Sequence, residues 1–309
     1  MKHTQHTIFS KTNQALSTHL WAPDQKALCV LIIVHGMAEH ILRYEDFARA
    51  LTERQVAVVG MDLPGHGHSA QEGFGYFAKK DGMLYVEECI LQLKDFAKQH
   101  YPFAPLFLLG HSMGSFFARD IAAKFPDDID GFIFSGTAGS NKILGLAKAL
   151  ARGQMLLQGA KKDGTTLHKM AFGPYNKPFY PNRTDYDWLS SDESVVDRYI
   201  ADEKCGFVFT ASGFYDLFSV LQAISRPHWA TSLDRTKPYL LLSGMMDPVG
   251  DLGKGVKEVH DRMVKAKIAN LSLLLYAQGR HEMLNEVNKT EVYEDICRFI
   301  EKNILDVKK

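Results

Sequence analysis

Three residue types spread along the chain have the chemistry of acyl transfer: a serine between glycines, an aspartate and a histidine. The serine is Ser112, in Leu108-Leu109-Gly110-His111-Ser112-Met113-Gly114-Ser115. An apolar run from Pro105 to Leu109 leads into it, and a small and apolar segment from Ser115 to Ala123 leads out. That pattern predicts a strand, a sharp turn and a helix, with the serine at the apex. Glycine on both sides lets strand and helix approach closely where any side chain would collide. The N–H groups beyond the apex then lie at a helix N-terminus, where negative charge is favoured.

A serine hydroxyl is a poor nucleophile at neutral pH. It needs a base within hydrogen-bond reach, and the base needs an acid that holds its tautomer and stabilises its charged form. In an open parallel sheet the chemistry collects outside the carboxyl ends of the strands, so candidates are residues that directly follow strands. His281 follows the apolar run Leu271 to Tyr276, whereas His260 falls inside a helical pattern. Asp247 follows the run Tyr239 to Leu242. The other acid position, after Ile129 to Phe134, holds Ser135, Gly136 and Thr137, with no carboxylate. His111, beside the serine, is expected to pack or bond locally. Taken singly, Asp247-Pro248 is a turn starter and His281 a loop histidine. Taken together, the order Ser112, Asp247, His281 is that of a serine hydrolase built on this kind of sheet. The tetrahedral intermediate also needs donors for its oxyanion, each typically worth ~2.7–4 kcal/mol. The backbone N–H groups of Met113, after the nucleophile, and of Met37, in the loop after Ala27 to Val34, are the expected pair.

The elements that must position these residues alternate along most of the chain. Short opening strands are expected at 5–10 and 16–22. Ala27 to Val34 and Val56 to Met61 are continuous apolar runs, suited to strands covered on both faces. Helices are expected at Tyr44 to Arg54, around Val86, Ile90, Leu93 and Ala97, at Phe214 to Ile224, around Val256, Val259 and Met263, and along Val292, Ile296, Phe299 and Ile304. Alternation of this kind predicts an α/β architecture, with a mostly parallel sheet between helices. From Asn141 to Cys205 the pattern breaks. An apolar helical stretch (Ile143, Leu144, Leu146, Leu150, Met155, Leu156, Leu157) precedes aromatic loop sequence (Phe172, Tyr175, Phe179, Tyr180, Tyr186, Trp188). The expected division is core at 1–140, a cap at 141–205 over a lipophilic pocket, and core again at 206–309.

Bulk properties limit the alternatives. The 309 residues carry 36 basic and 36 acidic side chains, so nothing argues for nucleic acid as a partner. Cys29, Cys89, Cys205 and Cys297 show no C-x-x-C and no neighbouring histidines, and read as buried thiols of a reducing compartment. No signal-peptide pattern and no membrane-length apolar run is visible, so a cytoplasmic protein is expected. His66 and His68, in Pro64-Gly65-His66-Gly67-His68-Ser69, tie down a turn. Neither a metal-binding pattern nor a phosphate loop is present, and no cofactor is expected.

His35-Gly36-Met37-Ala38-Glu39-His40, Arg43-Tyr44, Asp62-Leu63-Pro64-Gly65-His66-Gly67-His68-Ser69 and Gly110-His111-Ser112-Met113-Gly114 together resemble the monoacylglycerol lipase and lysophospholipase group of α/β-hydrolases, the serine aminopeptidase S33-like hydrolases. The resemblance runs over nearly the whole chain. It implies the α/β-hydrolase fold with an inserted helical cap, a serine esterase mechanism and a cap that forms an acyl-chain tunnel. It also implies that Met37 and Met113 form the oxyanion hole. Glu39 and Arg43 would lie near the active site, at the substrate, and structure its loop; Leu144 and Met155, in the apolar stretch of the cap, are also expected to contact substrate. The substrate would be a small lipid ester, with membrane-surface contact made through the cap. Monoacylglycerol lipases like the mammalian enzyme carry a second histidine three places after the catalytic one; here that place is Leu284, which leaves lysophospholipid or a general ester open. The alternatives are an aminopeptidase or thioesterase on the same scaffold, the former served by acidic residues such as Asp185, Asp187, Asp192 and Glu193, or a ligand-binding protein without turnover.

Overall fold

The computed structural model describes residues 1–307. Strands β1 (Lys2–Phe9) and β2 (Ala15–Ala22) form an antiparallel hairpin. The alternation follows with β3 (Cys29–Val34), α1 (Glu45–Glu53), β4 (Val56–Met61), α2 (Gly82–His100), β5 (Leu106–His111), α3 (Met113–Lys124) and β6 (Gly131–Ser135). Four helices come next: α4 (Leu144–Gln158), α5 (Thr165–Phe172), α6 (Glu193–Ala201) and α7 (Ala211–Ser225). The sheet then resumes with β7 (Pro238–Gly244), α8 (Lys254–Lys265), β8 (Asn270–Tyr276) and α9 (Lys289–Val307).

One eight-stranded sheet results, in the order β1-β2-β4-β3-β5-β6-β7-β8. Strands β3 to β8 run parallel, and β2 meets β4 antiparallel. Successive side chains of a strand face opposite ways, so a buried parallel strand feeds two core layers. Val30, Ile32 and Val34 of β3 join Val86 and Ile90 of α2 and Phe117 of α3 on one side. Leu31 and Ile33 join Phe47 and Leu51 of α1 and Val292 and Ile296 of α9 on the other. The continuous apolar runs of β3 and β4 are wholly buried, as their composition demands. By contrast β1 is an edge strand with mostly exposed side chains, and it starts earlier than the expected 5–10 because no apolar run marks it.

All four cysteines are buried, and none is in a disulfide. Among the described residues no helix is long and apolar enough to cross a membrane. The topology brings the loops after β3, β5, β7 and β8 to one edge of the sheet, which is where residues 35–40, 112, 247 and 281 lie.

Candidate active site

Ser112 has φ 50° and ψ −119°, backbone angles that an L side chain rarely adopts. Such strain costs of order 1–3 kcal/mol and persists only where neighbours impose it. Here the Ser112 N–H donates to the Ser135 carbonyl at 2.9 Å, and its own carbonyl accepts the Ser115 N–H at 2.8 Å and the Ser115 Oγ–H at 2.6 Å. A Cβ at Gly110 would overlap the Gly114 carbonyl, and one at Gly114 would overlap that of Val34. The glycines are thus required by the packing of β5, α3 and β3 around the turn. Met113 opens α3, and its N–H has no backbone acceptor among the described residues.

Asp247 and His281 meet directly, although 34 positions separate them. The His281 Nδ1–H is 3.0 Å from both carboxylate oxygens of Asp247. The carboxylate is fully buried and also accepts the Val249 N–H at 2.8 Å and the Ser243 hydroxyl at 3.2 Å. Those donors aim it at the imidazole. Burial pushes the His281 ring down, but the Asp247 charge and hydrogen bond, with Glu282 and Glu39 beyond, outweigh burial and hold it above its ordinary value of 6.5. A base must be neutral to accept a proton. Any hydrolysis in which His281 serves as the base is therefore expected to fall in acid, with the midpoint of kcat/KM above 6.5 rather than at it. A pH–rate profile checks this.

His111 does not turn away from the site. Its ring lies 4.8 Å from that of His281, centroid to centroid, and its Nδ1 is 3.3 Å from the Ser135 hydroxyl. Burial, and next the neighbouring His281, lower it to about 4, so it stays neutral beside that ring. His260 is distant in role: it sits on α8, near Asp261 at 3.5 Å.

Below this group Arg43 joins two buried carboxylates. Its guanidinium grips Glu282 with both arms, at 2.8 and 2.6 Å, and reaches Glu39 at 2.6 Å. Glu39 also accepts the Tyr44 hydroxyl at 2.8 Å and the Gly36 N–H at 2.6 Å. Burial alone would raise the Glu39 pKa; the Arg43 charge first, and the bond from the Gly36 N–H, hold it below the carboxylate range instead. Removing the cation would leave two buried charges facing each other. Arg43→Gln is expected to cost about 3–5 kcal/mol of stability in urea unfolding.

Ser112, His281, Met37, Glu39 and Glu282 line one cavity of about 630 Å³. Its apolar wall comes from Phe172, Tyr180, Trp188, Leu189 and Phe207. The loop carrying Met37 adjoins Ser112, since a Cβ at Gly36 would lie 3.2 Å from that of Ser112. Three residues expected at the substrate lie elsewhere. Arg43 sits behind the wall, occupied by Glu39 and Glu282. Leu144 and Met155 of α4 do not line the cavity: Leu144 is buried in the main core, and Lys148 of the same helix bonds Gln222 of α7 at 3.0 Å. The α4 helix therefore packs on α7 while α5 and the loop after it face the site. Leu284 is buried in the core beside α9, away from the cavity. Glu282 and Phe207 were missed in the sequence; adjacency to His281 was the one signal for Glu282.

Comparison with known proteins decides the family. The model of the family described as serine aminopeptidase, S33, matches residues 25–288. The chain belongs to this family. Human monoglyceride lipase is 29% identical over 282 residues, covering 91% of this chain and 84% of that protein. A monoacylglycerol lipase of Mycolicibacterium smegmatis is 27% identical over 281 residues, covering 91% of each. A thermostable carboxyl esterase from Bacillus coagulans, solved in complex with glycerol, superposes with a TM-score of 0.92 at 25% identity, over 98% of this chain and 99% of that one. The S33 protein described here is accordingly an α/β-hydrolase and a serine hydrolase.

Proposed function

We propose that this S33 hydrolase cleaves the carboxylic ester of a single-acyl lipid, a monoacylglycerol or a lysophospholipid, through an acyl-enzyme on Ser112. The observation that carries the reading is one cavity with the nucleophile and the carboxylate-held His281 among its lining and aromatic side chains along its wall. Its volume is in the range of small-molecule sites. Ser112 Oγ attacks the ester carbonyl while His281 Nε2 takes the hydroxyl proton. The Met37 and Met113 N–H groups hold the oxyanion. The carbon–oxygen bond to the alcohol then breaks, and His281 returns the proton to that alcohol. Water adds to the acyl-enzyme, giving a proton to His281, and the fatty acid leaves as Ser112 regains it.

Residues 141–205 act as the cap in this scheme. They are strapped to the base loop, for the Glu282 N–H donates to the Leu189 carbonyl at 2.7 Å and the His281 N–H to that of Trp188 at 3.4 Å. Ile143, Leu146, Leu156 and Leu157 of the cap are exposed and touch lipid aggregates; equal liposome flotation of wild type and a polar Ile143/Leu146 variant would remove that idea. Glu39 and Glu282 at the cavity are already matched by Arg43, and Asp187 accepts the Arg183 and Thr184 N–H groups, so of the acids considered for an amine Asp185 is the one that lines the cavity, and the anilide arm of the screen tests it.

The test is a hydrolysis screen of monoacylglycerols, lysophosphatidylcholine, short p-nitrophenyl esters and aminoacyl anilides. Turnover of the single-chain lipids above the short esters is expected. Turnover of the anilides alone would overturn the reading.

A further inference from the structure

Two buried histidines that the hydrolytic scheme does not use hold the loop that carries Met37. His35 lies at the end of β3, and His66 in the turn after β4. The Leu63 N–H donates to His35 Nε2 at 2.9 Å, and the Ala38 N–H donates to His66 Nε2 at 3.2 Å. An amide N–H only donates, so both Nε2 atoms are unprotonated acceptors. His35 Nδ1 faces the Gly36 carbonyl at 2.8 Å, and His66 Nδ1 faces the Pro64 carbonyl at 3.0 Å. A carbonyl only accepts, so both Nδ1 atoms carry the proton. The partners leave one tautomer for each ring. The exchange is reciprocal: the histidine of the Met37 loop holds the loop after β4, and the histidine of that loop holds the Met37 loop. The two rings meet at 5.0 Å and 61°.

These bonds bear on one direction in space. The Gly36 carbonyl and the Met37 N–H belong to a single planar peptide, so holding the first aims the second. The Ala38 N–H belongs to the next peptide. Ala38 has φ 53°, and its carbonyl accepts the Gly206 N–H at 2.9 Å and the Tyr199 hydroxyl at 3.0 Å. The Gly36 N–H is held by Glu39. The polar groups on either side of the Met37 N–H are therefore engaged, while that N–H has no backbone acceptor among the described residues.

We propose that His35 and His66 are positioning residues for the oxyanion hole, which as neutral Nδ1–H tautomers set the direction of the Met37 N–H. The proposal rests on the reading of Met37 as an oxyanion donor. The surroundings keep both rings neutral. Burial, and next the His35 ring, lower His66 well below its ordinary range; Glu39 and His40 are the other charged or titratable groups near it, and Phe77, Phe207 and Phe209 flank it. Burial likewise lowers His35, against the charges of Glu39 and Asp62 and beside His40. A proton on either Nε2 would set a donor against a backbone N–H and break the exchange.

The experiment compares His66→Gln and His66→Met in the full chain, by steady-state kinetics on a p-nitrophenyl ester and by thermal unfolding. Glutamine places an acceptor oxygen near the position of Nε2; methionine has similar reach and only a weak acceptor. The Gln variant is expected to keep kcat within about ten-fold of wild type, whereas the Met variant loses about 10²–10³-fold in kcat with KM within about two-fold, the size of losing one oxyanion donor. Equal losses in the two variants, or a Met loss seen in KM alone, overturn the proposal. Should the Met variant show no cooperative unfolding, the Gln variant decides: kcat within about ten-fold supports the proposal and a larger loss overturns it. Fluorophosphonate labelling that survives in Ser112→Ala would place the nucleophile elsewhere and sink the Ser112 and Met37 reading separately, whatever the His66 variants do.

Discussion

Ser112→Ala is expected to abolish labelling by a fluorophosphonate probe and to lower ester hydrolysis by about 10⁶-fold in kcat. The size is that of removing the serine of a Ser-His-Asp triad. His281 would retain its carboxylate, and the Met37 and Met113 N–H groups would remain, so a small residual acceleration over water is expected from the oxyanion hole and binding. The fold should be untouched. Alanine keeps the φ 50° backbone at the same strain, because the strain comes from the Cβ and not from the hydroxyl. The bonds from Ser112 N–H to Ser135 and from Ser115 to the Ser112 carbonyl involve only the backbone of residue 112. An unchanged melting temperature with lost labelling therefore separates chemistry from folding. Persistent labelling in the alanine variant would place the nucleophile elsewhere.

Asp247→Asn is expected to lower kcat by about 10⁴-fold while leaving KM nearly unchanged. The carboxylate accepts from His281 Nδ1, the Val249 N–H and the Ser243 hydroxyl. An amide has one oxygen for all these donors. If its oxygen stays with Val249, its NH₂ faces His281 and favours the tautomer protonated at Nε2, which cannot take the serine proton. Loss of the charge also removes what holds the His281 ring above 6.5. The acid midpoint of the residual activity should therefore move down. Its movement upward, or a KM effect with kcat intact, would show that Asp247 does not serve His281. Combined with Ser112→Ala, the substitution should cost little more than Ser112→Ala alone, because the residues act as a unit.

The sheet was legible because its strands are unusually explicit. Cys29–Val34 and Val56–Met61 are apolar on both faces, which only burial between two helix layers accommodates. The turn at Ser112 was legible because glycine is needed where a Cβ would strike backbone, and that need appears as a spacing of residues. Asp247 and His281 could be singled out for a similar reason: each follows a strand, and parallel strands end on one edge of the sheet.

Residues whose role depends on which neighbour faces them were not legible. The apolar residues of α4 lie around the helix rather than on one face, so their pattern could not say that Leu144 enters the core while Phe172 of α5 and Phe207 after α6 line the cavity. Arg43 was expected beside the substrate, and nothing local announces Glu282, 239 positions away, as its partner. His35 and His66 offered only a turn-rich context; their exchange of acceptors exists only once β3 and β4 pair side by side. Periodicity and steric need are properties of short segments, so the sequence by itself determined the strands, the elbow and the candidate triad. Pairings between distant side chains depend on how those segments pack, so only the tertiary structure decided the cavity wall, the buried ion cluster and the histidines around Met37.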